Sequence, residues 1–138
     1  MGSQRQLLID LGFEAAGAWV LAGNDLVCRL ARHPDRSGIL YAFVVGDNVM
    51  YVGKTAKTLR WRMNQYRRPG PSQRTNQRIN PQICELLAEG QDVEVLVLVD
   101  AEPIMYRGLR LSLAAGLEDA LIARLDPPWN QVGRRRGA

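Results

Sequence analysis

The chain has 138 residues, 46% of them hydrophobic and 23% charged, with a formal net charge of +4. These proportions suit one globular domain with a modest core and exclude a disordered or fibrous polypeptide. No apolar run reaches the roughly 20 residues that a membrane-spanning helix needs, and Met1–Arg5 opens no signal-cleavage pattern.

Leu7, Leu8 and Leu11 have helical spacing, which predicts a short helix over 4–11 that ends at Gly12. Trp19–Leu21 and Leu26–Leu30 flank Gly23-Asn24-Asp25 and read as a hairpin. Whether that hairpin extends a sheet, braces it or touches substrate stays open. Residues 33–38 form a linker whose His33 is read as a solvated loop residue. Cys28 and Cys84 lie far apart among apolar neighbours, as expected of buried reduced thiols in a cytoplasmic setting.

Ile39–Val45 and Val49–Val52 flank Gly46-Asp47-Asn48, which is again hairpin chemistry. With a three-residue connection Val45 lies opposite Val49, and Tyr41 and Tyr51 emerge on one face. The second strand is expected to run out at Gly53-Lys54-Thr55. Thr58 then caps a helix reaching about Arg68, with Leu59 and Met63 as its apolar stripe. Arg62 and Tyr66 are four residues apart on it and share a surface, while Trp61 is read as packing on the sheet.

Pro69-Gly70-Pro71-Ser72 ends that helix, and Gln73–Gln77 reads as a polar, basic loop able to track a phosphate backbone. Asn80-Pro81 has the form of a helix start with Gly90 as the stop. Val93–Val99 is a β-branched and leucine run, read as a strand of the same sheet. Ala101–Arg110 reads as irregular. Ser112 opens a helix to about Leu125, which Asp126-Pro127-Pro128 stops, and Trp129 anchors the C-terminal segment on the core.

Charge is distributed unevenly. From Asn48 through Cys84 there is no Asp or Glu, yet the stretch holds Lys54, Lys57, Arg60, Arg62, Arg67, Arg68, Arg74 and Arg78. A solvated helix face usually mixes signs, so a one-signed block points to a polyanion such as nucleic acid. Arg134-Arg135-Arg136 reads as a solvated tail able to add phosphate contacts. Glu118 is a carboxylate among Ala114, Ala115, Leu121 and Ile122, costly to bury without a partner.

Ile39-Leu40-Tyr41, Tyr51-Val52-Gly53, Lys54, the Arg62/Tyr66 pair, Glu118 and Asn130 stand in an order that resembles the GIY-YIG nuclease family over roughly Gly38 to Asn130. Ile39 replaces the expected motif glycine, and Tyr66 stands where many members carry histidine. The resemblance implies an α+β fold, a small mixed, mostly antiparallel sheet of about three core strands flanked by helices. Its nuclease domain would span 38–132, with an N-terminal extension over 1–37 and a basic tail over 133–138.

The activity implied is metal-dependent hydrolysis of DNA phosphodiesters, single strands included. Tyr41 or Tyr51 would be the general base with Lys54 beside it, and whether Tyr66 relays the proton stays open. Arg62 would clamp the phosphate, and Glu118 would hold Mg²⁺ or Mn²⁺. Asn130 would orient groups around Glu118 or the phosphate, and Lys57, Arg60, Arg67, Arg68, Arg74 and Arg78 would contact DNA. The alternatives are a noncatalytic nucleic-acid-binding module and a catalytic subunit targeted by a partner. Oligomeric state is left open, with a monomer favoured.

Overall fold

Ile39 to Val44 are all buried, which marks their strand as one covered on both faces. Ile39, Tyr41 and Phe43 enter one apolar cluster, and Leu40, Ala42 and Val44 enter another. The computed structural model describes residues 3–99 and 104–130. Among them the chain runs α1 (Gln4–Asp10), β1 (Glu14–Ala22), β2 (Asp25–Leu30), β3 (Ser37–Val45), β4 (Asn48–Thr58), α2 (Leu59–Arg67) and α3 (Arg74–Ala88). Then come β5 (Val93–Leu98), β6 (Ile104–Tyr106), β7 (Leu109–Leu111), α4 (Leu113–Leu125) and a 3₁₀ turn at Pro128–Asn130.

Five strands form one sheet in the order β2-β1-β5-β3-β4, with every pairing antiparallel. The fold is therefore α+β, with helices on both faces. α2, α3 and the 3₁₀ turn cover the Tyr41 face, and α1 and α4 cover the Leu40 face. The β1–β2 hairpin joins the sheet through β1–β5 pairing, so the core sheet has five strands where about three were expected. Both cysteine thiols are free and partly buried.

The connection between β3 and β4 differs from expectation. Val45 pairs with Asn48 and Val44 with Val49, so Gly46-Asp47 alone makes the turn, with Gly46 at φ 59°. Continued without interruption, that register would put Tyr51 on the wrong face. A bulge between Phe43 and Val44 inserts Met50, restores Phe43 opposite Tyr51, and returns Tyr51 to the Tyr41 side. β4 also continues to Thr58, beyond the expected end at Thr55.

Two other expectations are corrected. Gln73–Gln77 is not a loop, because α3 begins at Arg74 and carries Pro81 inside it. Asn76, Ile79 and Ile83 form its buried face, while Pro81 sits on the exposed side, where water can serve the carbonyl that loses its partner. Asn80 caps a different helix from its own. Its Nδ2 donates to the carbonyls of Tyr66 and Arg67 at the end of α2.

Part of the expected irregular stretch is the β6–β7 hairpin, turned at Arg107 (φ 51°) and Gly108 (φ 84°). Ala101 to Pro103, like Gln131 and the Arg134–Arg136 tail, lie outside the described residues. α1, α2 and α4 start where the sequence places them, on the side-chain caps of Ser3, Thr58 and Ser112.

Candidate active site

Helical spacing on α2 and strand alternation on β3 and β4 bring four of the expected residues together on one face. The hydroxyls of Tyr41 and Tyr66 are 2.6 Å apart. Arg62 donates from Nε to the Tyr41 hydroxyl at 3.0 Å and from Nη2 to the Tyr66 hydroxyl at 2.9 Å, and its guanidinium lies 4.3 Å from the Tyr66 ring centroid. Both phenols are fully buried. Burial pushes both hydroxyls above the ordinary tyrosine range, against the opposing pull of Arg62, so both stay neutral.

Tyr51 completes the aromatic cluster, with its ring centroid 6.2 Å from those of Tyr41 and Tyr66. It is only half-buried, and among the described residues no hydrogen bond joins its hydroxyl. Gly53 explains how the two strand tyrosines come so close. A Cβ at that position would sit 2.7 Å from the Tyr41 hydroxyl oxygen and 2.8 Å from Tyr51 Cε2. Only glycine leaves room for both rings.

Lys54 and Glu118 meet on the other side of β4. Lys54 follows Gly53 and therefore points to the opposite face, where α4 packs. Its Nζ lies 3.7 Å from Glu118 Oε1, a loose contact, with the Glu118 side chain 20% exposed and Lys54 52%. Burial raises the Glu118 carboxyl above its ordinary value, more than neighbouring Lys54 lowers it. The expected site residues thus form two groups that share one strand.

Asn130 has a different occupation from the expected one. Its Oδ1 accepts from Val52 N–H at 2.9 Å, and its Nδ2 donates to the Val52 carbonyl at 3.0 Å. β4 is an edge strand, and this side chain satisfies its outward backbone as a neighbouring strand would. Both ends of the amide are used there, so Asn130 positions the strand that carries Tyr51 and Lys54.

The expected DNA-contacting residues divide as well. Arg67 binds Asp25 Oδ2 at 2.7 Å and the Leu26 carbonyl at 2.8 Å, fastening α2 to β2. Arg78 donates to the Trp129 carbonyl at 2.7 Å and fastens α3 to the 3₁₀ turn. Both act as braces. Arg60 makes an exposed pair with Asp35 at 3.5 Å. Lys57, Arg68 and Arg74 are exposed, and no ion pair engages them among the described residues. Trp61 is not packed on the sheet as expected. It is 46% exposed, with Lys57 Nζ 5.7 Å from its ring centroid.

No family model matches the sequence, and no curated protein matches it. Solved structures do. A glutamate-to-alanine mutant of bacteriophage T4 EndoII superposes with a TM-score of 0.72 at 21% identity, covering 92% of this chain and 98% of that one. The restriction endonuclease HPY188I, in complex with product DNA, gives a TM-score of 0.55 at 15% identity, covering 88% of this chain and 78% of that one. This chain has the fold that EndoII and the HPY188I restriction enzyme share.

Proposed function

We propose that the chain is a metal-dependent DNA endonuclease of the GIY-YIG type. Arg62 carries this reading. Its guanidinium is half-buried and oriented by two neutral phenols, and no carboxylate among the described residues neutralises it. A desolvated cation with acceptors only on one flank is a seat for an anion, and a phosphate accepts the remaining N–H groups in a fixed geometry. The shared fold adds support, since one neighbour is a restriction endonuclease bound to DNA.

In phosphodiester hydrolysis water attacks phosphorus, a P–O bond to the leaving nucleotide breaks, and that oxygen takes up a proton. Arg62 pairs with a non-bridging oxygen and gains strength as charge develops there. Tyr41 and Tyr66 hold it as hydrogen-bond acceptors. Tyr51 has the free hydroxyl and is our candidate to take the proton from the attacking water.

Glu118 would hold Mg²⁺ or Mn²⁺, which when bound supplies a Lewis acid for a phosphate oxygen. The donor set fits such an ion. Glu118 is a partly desolvated carboxylate with only a loose lysine contact, and no group of three or more His, Cys, Asp or Glu side chains forms a cage among the described residues. One carboxylate suits a cation that keeps most of its waters and takes substrate oxygens as ligands. Lys57 and exposed Trp61 offer a neighbouring surface for backbone and base.

The test is cleavage of labelled single-stranded and duplex oligonucleotides with Mg²⁺, with Mn²⁺ and with chelator, wild type beside Glu118→Ala. Metal-dependent cutting lost in the variant is the expected result. A noncatalytic nucleic-acid-binding module is the second reading, favoured by the placement of Arg62 and Glu118 on opposite sides of β4. Binding without cutting in every pool would establish that reading and overturn the first.

A further inference from the structure

A cavity of about 230 Å³ opens where β3 begins, β5 ends and α4 starts, lined by Arg36, Ser37, Leu98, Arg110, Ser112 and Ala114 among others. Among the described residues none of those that line it is a carboxylate. Arg36 and Arg110 come from segments far apart in sequence, and neither makes an ion pair or side-chain hydrogen bond among the described residues. Two arginines at one cavity give it a positive potential that favours an anion. The hydroxyls of Ser37 and Ser112 supply further donors, and the first turn of α4 adds positive potential to the same wall.

Position gives the cavity its meaning. Lys54 pairs with Leu40, and Leu40 pairs with Leu98, so one row across the sheet leads from the Lys54–Glu118 pair to the cavity wall. On α4, Ala114 in the wall and Glu118 are four residues apart on one face, about 6 Å along the axis. That is comparable with the spacing of neighbouring phosphates on one strand, which are about 3.4 Å apart along the duplex axis and further apart along the backbone.

We propose that the Arg36–Arg110 cavity seats a backbone phosphate of the DNA strand, a step or two from the phosphate that is cut. The inference rests on the endonuclease reading and adds to it a second anchoring point, which fixes how the strand crosses α4. Arg36 and Arg110 contact the backbone and carry no base information, so they set register and affinity across all sequences.

The test uses the full chain with Glu118→Gln, expected to slow cutting, keeps chelator present, and follows binding of a short fluorescent DNA between about 50 and 200 mM salt. Adding Arg36→Ala and Arg110→Ala should lower the slope of log affinity against log salt by about 0.9, the value for one lost phosphate contact on duplex DNA. Arg36→Lys with Arg110→Lys should keep the slope. Both side chains are exposed, and thermal melting should confirm that all forms are folded.

A neutral methylphosphonate walked along the strand should weaken binding at one position in the parent and not in the double-alanine form. Equal slopes in parent and double-alanine form would overturn the cavity assignment and leave the endonuclease reading standing. Failure of the parent to bind any DNA would overturn both. Inorganic phosphate that shifts the Ala114 amide resonance while the DNA slope stays constant would make this a free-anion site, and would also overturn the assignment.

Discussion

The two sides of β4 carry polar groups under opposite conditions. On one side Tyr41, Tyr66 and Arg62 are locked by three mutual hydrogen bonds inside an aromatic cluster. On the other, Lys54 and Glu118 face each other across 3.7 Å, with the lysine half exposed. The locked side is part of the core, so changes there disturb stability and chemistry together. The loose side contributes little to folding, since the contact is long, its lysine is half exposed, and burial disfavours the Glu118 charge. Its groups are free to take a new partner, and in our reading that partner is a metal ion.

The sharpest separation of the two sides should come from Glu118→Gln. Cleavage should fall by about 10²–10³-fold or more, the loss that follows removal of one transition-state electrostatic group, with no loss of thermal stability. The pH dependence of that stability has a definite sign. The folded-state value of Glu118 is raised, so its contribution favours folding below the ordinary carboxylate value of 4.5 and is lost as pH rises through the raised one. Glu118→Gln should therefore gain on wild type in thermal melts more at neutral pH than near pH 4. A variant that melts well below wild type would show that the carboxylate is structural.

Gly53→Ala attacks the locked side by steric means. Its Cβ would meet the rings of Tyr41 and Tyr51, at a cost of about 1–3 kcal/mol read from denaturant midpoints. Tyr41→Phe should cost a similar 1–3 kcal/mol, because Arg62 Nε and the Tyr66 hydroxyl each lose a buried partner. It should also slow cleavage through a displaced Arg62. Unchanged stability in both variants would mean that the cluster is not packed as described.

The smallest effect is a shift in pH profile. Lys54 lowers the Glu118 value against the larger effect of burial. Removing it with Lys54→Met should move the acid limb of kcat/KM to higher pH, since protons then compete with the metal more effectively. A limb that stays in place or moves to lower pH would contradict the coupling.

Legibility in the sequence followed distance along the chain. Strand alternation and helical spacing are local rules, and they placed Tyr41 and Tyr51 on one face and Arg62 beside Tyr66. The bulge at Met50 was not visible, yet it conserved the face because a three-residue connection and a two-residue turn with a bulge share the register from Phe43 onward.

Long-range partners were out of reach. The acid-free block from Asn48 to Cys84 reads as one basic surface, but Asp25 and Asp35 reach Arg67 and Arg60 from outside it. Asn80-Pro81 has the form of a helix start, and only tertiary packing shows that Asn80 serves the end of α2. Asn130 was recognised by its place after Asp126-Pro127-Pro128-Trp129, while its bonds to Val52, 78 residues earlier, needed the fold.

The most direct test of a site shared across β4 is a double-mutant cycle in single-turnover DNA cleavage with Arg62→Ala and Glu118→Ala. If the two sides of β4 act on one phosphate, each single variant should lose most of the activity and the double variant little more than the worse single. Losses that multiply, with the double falling by the product of the two singles, would mean independent contributions and contradict a shared site.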